Sequence, residues 1–227
     1  MIDDLSPTMR DYLAEIHRLS ERSTESEPGY VSTSALADLL DVSAPAVNRM
    51  VTRLKDMGLL EHEPYRGIRL TDAGQREAFK ELRRHRIAEA FLVNVMGFGW
   101  HEVHEEASRM GPALSSALTE RMAAMAGNPT HCPHGEPIPD SDGDIILPDD
   151  FLLSDAEPDS GPLRISRVLT REPDRLEYLA ALGLTPGTEI EVLHIAPFHG
   201  PMQLRVGNEY RIIGHNLAEL IRVAAAE

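Results

Sequence analysis

Between Ser34 and Met57 the apolar residues form two short helical stripes separated by Asp41-Val42-Ser43. This pattern runs directly into a short basic hairpin, then into a long helical stretch ending Arg83-Arg84-His85-Arg86-Ile87-Ala88-Glu89. Thr33 or Ser34 starts the first helix, whose apolar face is Leu36, Leu39 and Leu40. Ser43-Ala44-Pro45 reads as an N-cap followed by a tolerated early proline, and the helix behind it turns Val47, Met50, Val51 and Leu54 inward. Pro45, Asn48, Arg49, Thr52 and Arg53 are left on or beside the opposite face. Gly58 ends this helix, because glycine accepts a positive φ. Leu59 to His62 and Ile68 to Leu70 then read as two strands around Pro64-Tyr65-Arg66-Gly67, with Arg66 at the tip. The unit is predicted to be a winged helix-turn-helix.

Upstream, Leu5, Met9, Leu13, Ile16 and Leu19 predict a helix over Asp3 to Glu21, and Ser23 to Gly29 reads as a polar loop. Downstream, a helix is predicted from Thr71 to about Met96, where Gly97 can stop it. Trp100 to Met110 and Ala113 to Ala126 form a second pair around Gly111-Pro112, with Leu114, Leu118 and Met122 on one stripe of the latter. Apolar helices joined to a small DNA-reading unit are candidates for dimerisation, and a two-fold dimer requires a roughly palindromic operator. Residues 128–161 are rich in proline, glycine and aspartate and read as an ordered loop followed by a linker. Beyond them, short strands around one helix at Asp174 to Leu182 suit a small barrel. The expected fold is mainly α with a small β domain. A winged helix-turn-helix occupies 1–74, a helical dimerisation and metal-binding domain 75–140, a linker 141–161 and a small barrel 162–227.

Charge is distributed unevenly along the chain. The formal net charge is −15, yet residues 30–90 hold 10 Lys/Arg against 9 Asp/Glu, whereas residues 91–227 hold 9 against 21. Only the first region can approach a phosphate backbone without heavy repulsion. The acidic remainder suits self-association, small ligands or cations. A single cysteine, Cys132, excludes an internal disulfide framework. The interrupted apolar runs and the absence of a basic-then-apolar start predict a cytoplasmic protein without membrane contact.

Within the winged helix, Asn48 and Arg49 are suited to major-groove base edges. Ser43, Pro45, Thr52, Arg53 and Arg66 are assigned to the same DNA-facing surface, with Arg53, Lys55, Arg66 and Arg69 better placed for phosphates. An ordinary solvated helix face is the competing reading for each charged residue. Further along, His85 and Glu89 lie four apart on one helix and can converge on a cation, and His104 near the start of the next helical segment can close the site. Imidazole with carboxylate suits Mn, Fe, Co, Ni or Zn. Local capping or pairing of His85 beside the Arg83-Arg84-Arg86 run is the alternative. Cys132 and His134 are another possible, softer site, although a tight loop accounts for them more simply.

The stretch Arg84-His85-Arg86-Ile87-Ala88-Glu89-Ala90-Phe91-Leu92, followed by Val103-His104-Glu105-Glu106-Ala107, resembles the metal-binding core of the diphtheria-toxin-repressor family and its manganese-responsive, MntR-type branch. Pro137-Ile138-Pro139 fits the same family. Leu182-Gly183-Leu184-Thr185-Pro186-Gly187 and Gly214-His215-Asn216-Leu217-Ala218 resemble the FeoA or SH3-like domain of its longer members. The resemblance implies a homodimeric, Mn(II)- or Fe(II)-activated transcriptional repressor of metal-homeostasis genes that binds double-stranded operator DNA, Mn(II) being preferred. It carries His85, Glu89 and His104 onto the family's ancillary metal site. It also suggests Glu172 and Asp174 as ligands from the last domain, and Asp11 as an amino-terminal ligand. Three primary-site positions, however, fall on Ser108, Gly111 and Pro112, of which only serine offers even a weak donor. Activation then rests on His85, Glu89 and His104, or on a rearranged site joining Asp11 with Glu102, Glu105 or Glu106. A metal-dependent enzyme is a different class of reading, and it lacks a convincing nucleophile with an acid-base partner.

Overall fold

The helix-turn-helix is built by two caps of different kinds. Ser32 accepts a hydrogen bond from the Ala35 N–H at 3.1 Å and opens α2 (Thr33–Leu40), which Asp41 closes in the left-handed conformation at φ 50°. Ser43 then precedes α3 (Ala44–Asp56), with Pro45 in the first turn, where its missing N–H costs nothing. The computed structural model describes residues 5–22, 29–141, 143–158 and 160–226. The expected start at Asp3 and most of the expected loop over 23–29 therefore lie outside the described residues.

Contacts divide the chain into two units, Met1–Arg84 with Pro139–Ile145, and His85–Ile138 with Ile146–Glu227. In the first, α1 (Pro7–Arg22) brings Met9, Leu13 and Ile16 onto Leu36, Val47, Val51 and Leu54. Met50 is half-buried and packs against this core as expected, whereas Leu39 is exposed, which corrects the inward placement expected for it: a short helix meets this core along a narrow stripe. The wing pairs β1 (Leu60–Glu63) antiparallel with β2 (Gly67–Leu70). Gly67 sits at φ 108°, and a Cβ there would lie 2.3 Å from the Val31 carbonyl oxygen, so the close approach of the wing to Val31 requires glycine.

Helix α4 (Asp72–Asn94) contributes its first part to this unit and the part from His85 onward to the other. In the second unit, α5 (Val103–Met110) ends in a 3-10 turn at Gly111–Ala113, followed by α6 (Ser116–Met125). Ile87, Leu92, Val103, Ala107, Leu114 and Met122 form their shared core. Leu118, expected on the same stripe as Leu114 and Met122, is exposed instead.

The last region is a six-stranded antiparallel sheet in the order β3 (Phe151–Leu152), β8 (Ile221–Ala225), β4 (Leu163–Val168), β5 (Glu189–Ile195), β6 (Met202–Val206), β7 (Glu209–Ile213). Register shifts between Ile165 and Arg167 and between Val192 and His194 curve it in the manner of β-bulges. α7 (Pro173–Ala181) adds Leu176 and Leu179 to the core, and the short α8 (His215–Ala218) precedes β8. The segment expected to be a plain linker, 141–161, is structured at both ends. Ile145 packs with Ala14, Phe79 and Leu82, whereas Phe151–Leu152 pair with β8 and Leu153 is wholly buried in the sheet core.

One buried ionic cluster fastens this β region. Asp150, whose side chain is fully covered, accepts hydrogen bonds from Arg222 Nε at 2.5 Å, Ser166 Oγ at 2.7 Å and Arg167 Nε at 2.9 Å. Burial pushes its carboxyl up, but the bonds from Arg167, Ser166 and Arg222 outweigh this and hold it below the ordinary 3.8. Asp150→Asn removes the counter-charge facing Arg222 and one of the two carboxylates facing Arg167, and is expected to cost about 3 kcal/mol in denaturant unfolding of the full chain. Because the native value is depressed, the stabilisation is complete above pH 3.8 and disappears as pH falls through the lower native value, so the gap between wild type and variant must close on acidification.

Candidate metal centre

Glu89 is 3% exposed and both its oxygens are engaged. Oε1 lies 2.9 Å from His85 Nε2, one helical turn earlier on α4, and 3.2 Å from His104 Nδ1 on α5; the two imidazole nitrogens are themselves 3.0 Å apart. Oε2 lies 3.6 Å from His134 Nδ1, which is 3.9 Å from the Cys132 thiol. Two overlapping donor sets therefore share one carboxylate, His85/Glu89/His104 and Glu89/Cys132/His134.

The loop carrying Cys132 and His134 is held from several sides. Gly135 N–H donates to the Cys132 carbonyl at 2.9 Å, and Cys132 N–H donates to the Glu136 carbonyl at 2.9 Å. The Val168 N–H on β4 donates to the His134 carbonyl at 2.9 Å. Gly135 adopts φ 84°, and a Cβ there would lie 2.1 Å from the Ser166 carbonyl oxygen, so only glycine allows this approach. Arg86, the neighbour of His85, donates to the Pro137 carbonyl at 2.5 Å and reaches Glu136 at 3.1 Å; Arg167 reaches the same carboxylate at 3.2 Å. His134 Nε2–H donates to the Trp100 carbonyl at 2.8 Å, which directs Nδ1 toward Glu89.

These contacts set the protonation states. Burial pushes the Glu89 carboxyl up, but His85 and the hydrogen bonds from His104, His134 and His85 hold it well below the usual carboxylate range. Burial lowers His134, whereas Cys132 and Glu89 beside it win and push it up to about 10. Burial, reinforced by the Glu89 charge, raises the Cys132 thiol. A divalent ion fits this chemistry. Tetrahedral ligands at about 2.0–2.1 Å from a cation lie about 3.3 Å from one another, close to the observed separations around Oε1.

The remaining expected ligands fall elsewhere. Glu105 is exposed and Glu106 half-buried, and both pair with Arg109, the former at 3.1 Å. Glu172 is exposed at the start of α7 and pairs with Arg175 at 2.8 Å, and Asp174 is exposed in the same helical turn. Asp11 lies on α1, where burial and Glu15 raise its carboxyl against the pull of Arg18 and Arg84. The Glu102 carboxylate accepts from the Gly99 N–H at 3.1 Å. Ser108 bonds back to the His104 carbonyl at 2.9 Å, and Gly111 opens the 3-10 turn. Among the described residues, the groups able to hold a metal include none of these. Sequence reasoning did not bring Cys132 and His134 to Glu89, where the fold places them. The available signal was a thiol and an imidazole flanking one proline and followed by glycine.

On α3, Ser43, Pro45, Asn48, Arg49, Thr52 and Arg53 are all exposed, and the Ser43 hydroxyl makes no cap hydrogen bond. Thr52 Oγ donates to the Asn48 carbonyl at 2.9 Å. Arg66 folds back from the wing, pairing with Glu63 at 2.6 Å and stacking 4.5 Å from the centre of the Tyr30 ring. Tyr65 in the wing turn adopts φ 68° and is fully exposed, a residue the sequence reading did not single out.

A winged helix joined to a buried histidine–carboxylate centre and an SH3-like β region defines a metal-dependent DNA-binding regulator. Residues 4–68 match the iron dependent repressor N-terminal DNA binding domain, 71–140 the iron dependent repressor metal binding and dimerisation domain, and 152–225 the FeoA domain. The diphtheria toxin repressor of Corynebacterium efficiens is 30% identical over 207 residues, 84% of this chain and 85% of the relative. The iron-dependent repressor IdeR of Mycobacterium leprae is 29% identical over 98% of this chain and 99% of its own. Among solved structures, a manganese-dependent transcriptional repressor in complex with manganese superposes with a TM-score of 0.88 at 32% identity, covering 96% of this chain and 100% of that one. IdeR of T. acidophilum gives 0.82 at 30%, covering 98% and 100%. The chain belongs to the diphtheria toxin repressor family of metal-dependent transcriptional repressors.

Because Glu89 serves both donor sets, Glu89→Gln is expected to weaken divalent-metal binding at least 100-fold in chelator competition. Cys132→Ala is expected to spare the binding supported by His85 and His104. Equal losses in both variants would contradict the division into two sets.

Proposed function

We propose that the chain is a homodimeric, Mn(II)-activated repressor that binds a palindromic operator and controls manganese- or iron-homeostasis genes in the cytoplasm. The observation that carries this reading is the convergence at 2.9–3.2 Å of His85 and Glu89, on a helix that begins directly after the wing, with His104 of α5. Mn(II) is supported by the nitrogen and oxygen donors of this set and by the manganese-bound structural relative. The Cys132 thiol favours a second reading, Fe(II) activation, because a softer donor lowers the preference for manganese.

A divalent cation supplies the positive charge that lets these ligands meet with their protons displaced. His85 and Glu89 then tie α4 to α5 through His104, and to the 132–135 loop through His134. The helix that carries His85 and Glu89 begins directly after the wing, and metal held there is the activator of operator binding in this reading. Operator affinity and metal affinity must then enhance one another by the same factor. The solvent-exposed apolar side chains Leu118 and Met125 on α6 support a self-association surface.

Anaerobic operator binding across titrations of Mn(II), Fe(II) and Zn(II), on intact and scrambled duplexes, tests the reading. Metal-dependent binding of two chains per intact operator is expected, and His85→Ala should abolish the metal dependence with the fold preserved. Unchanged metal-dependent binding in that variant would refute the mechanism. On the DNA side, Arg49→Ala is expected to lose about 1–3 kcal/mol on the intact operator and little on the scrambled one, whereas Arg66→Ala weakens both alike.

A further inference from the structure

A separate histidine cluster lies on the β region, away from the donors that meet at Glu89. His199 Nδ1 is 3.0 Å from His215 Nε2, the rings are 4.6 Å apart and inclined at 61°, and His215 Nε2 is 3.7 Å from Glu219 Oε1. His215 and Glu219 repeat the i, i+4 spacing of His85 and Glu89.

The backbone that delivers His199 is unusual. The turn between β5 and β6 is closed by Ala196 N–H to the Pro201 carbonyl at 3.0 Å and by Gly200 N–H to the Pro197 carbonyl at 3.2 Å. Its two central residues, Phe198 and His199, both adopt left-handed φ values of 61° and 52°. That geometry favours Asn-Gly, because side chains with a Cβ are strained there. Neither central residue is glycine, and Phe198 is 97% exposed, so burial of that ring does not offset the strain. What the turn secures is an imidazole facing His215. Strain concentrated where side chains converge is the pattern of a binding site.

We propose that His199, His215 and Glu219 form a second divalent-metal site, selective for imidazole-preferring cations such as Zn(II), Ni(II) and Cu(II). Nitrogen and oxygen ligands about 2.0–2.2 Å from a tetrahedral cation stand about 3.3–3.4 Å apart, so the two imidazoles need adjustments of only a few tenths of an ångström, whereas the Glu219 carboxylate, 3.7 Å from His215 Nε2, must swing further to meet the same ion as His199. The His199 and Glu219 side chains are solvent-exposed and free to make them, and a fourth position can be taken by water. The acidic balance of residues 91–227, 9 Lys/Arg against 21 Asp/Glu, favours cation capture there. A simple N–H···N hydrogen bond between neutral rings is the competing account. The proposal stands independently of the reading of Glu89.

The test is Zn(II) and Ni(II) stoichiometry of the full chain by native mass spectrometry and chelator competition. It compares wild type, His199→Asn, His215→Ala, Glu219→Gln and Glu89→Gln. Asn suits the left-handed turn, so His199→Asn should unfold at a temperature no lower than wild type while binding one metal ion fewer per chain. His215→Ala should lose the same ion, Glu219→Gln should weaken it about tenfold, and Glu89→Gln should retain it. Wild-type stoichiometry and affinity in His199→Asn would overturn the proposal and leave the hydrogen bond as the account of the pair.

Discussion

The buried Glu89 carboxylate is the constraint around which the unit that contains it is arranged. A buried charge without partners carries a penalty of several kcal/mol, so its surroundings must supply donors from every side. They come from three places: His85 one turn away on α4, His104 on α5, and His134 on a loop more than forty residues further along. The same demand that keeps this carboxylate ionised gathers the groups a divalent cation requires.

Keeping the loop in place is a second structural task. Gly135 permits backbone contact with β4, while Arg86, Glu136, Arg167, Asp150 and Arg222 form a continuous chain of ion pairs from α4 to β8. Arg86 lies between His85 and Glu89 in sequence, so the residue that anchors the chain of charges is built into the turn that carries both. The FeoA-like region is thereby fastened to the centre, although Glu172 and Asp174, its expected ligands, point into solvent near Arg175. Loss of ligand-bearing residues at Ser108 and Gly111 leaves α5 contributing through His104 alone among these positions.

Much of this was legible in the chain. The two helical stripes around Asp41-Val42-Ser43, the Ser43-Ala44-Pro45 start of the second helix and the hairpin after Gly58 are local signals, and each governs a local structure. The i, i+4 placement of His85 and Glu89 is equally local, since one helical turn brings the two together. Cys132 and His134 were not legible in this way, because sequence spacing does not reveal which helix a punctuated loop folds against. Arg66 was placed correctly on the wing, but its return onto Glu63 and Tyr30 depends on a tyrosine outside the hairpin.

The sequence by itself determined the helix-turn-helix, the wing, the order of the helical and β regions and the His85/Glu89 pair, because these follow from periodicity, caps and turn residues a few positions apart. Only the tertiary structure decided that one carboxylate serves two donor sets, that Phe151–Leu152 join the sheet instead of forming part of a linker, and that His199 meets His215. Those outcomes depend on long-range packing and on the electrostatic need of buried charges for partners, which no local pattern encodes.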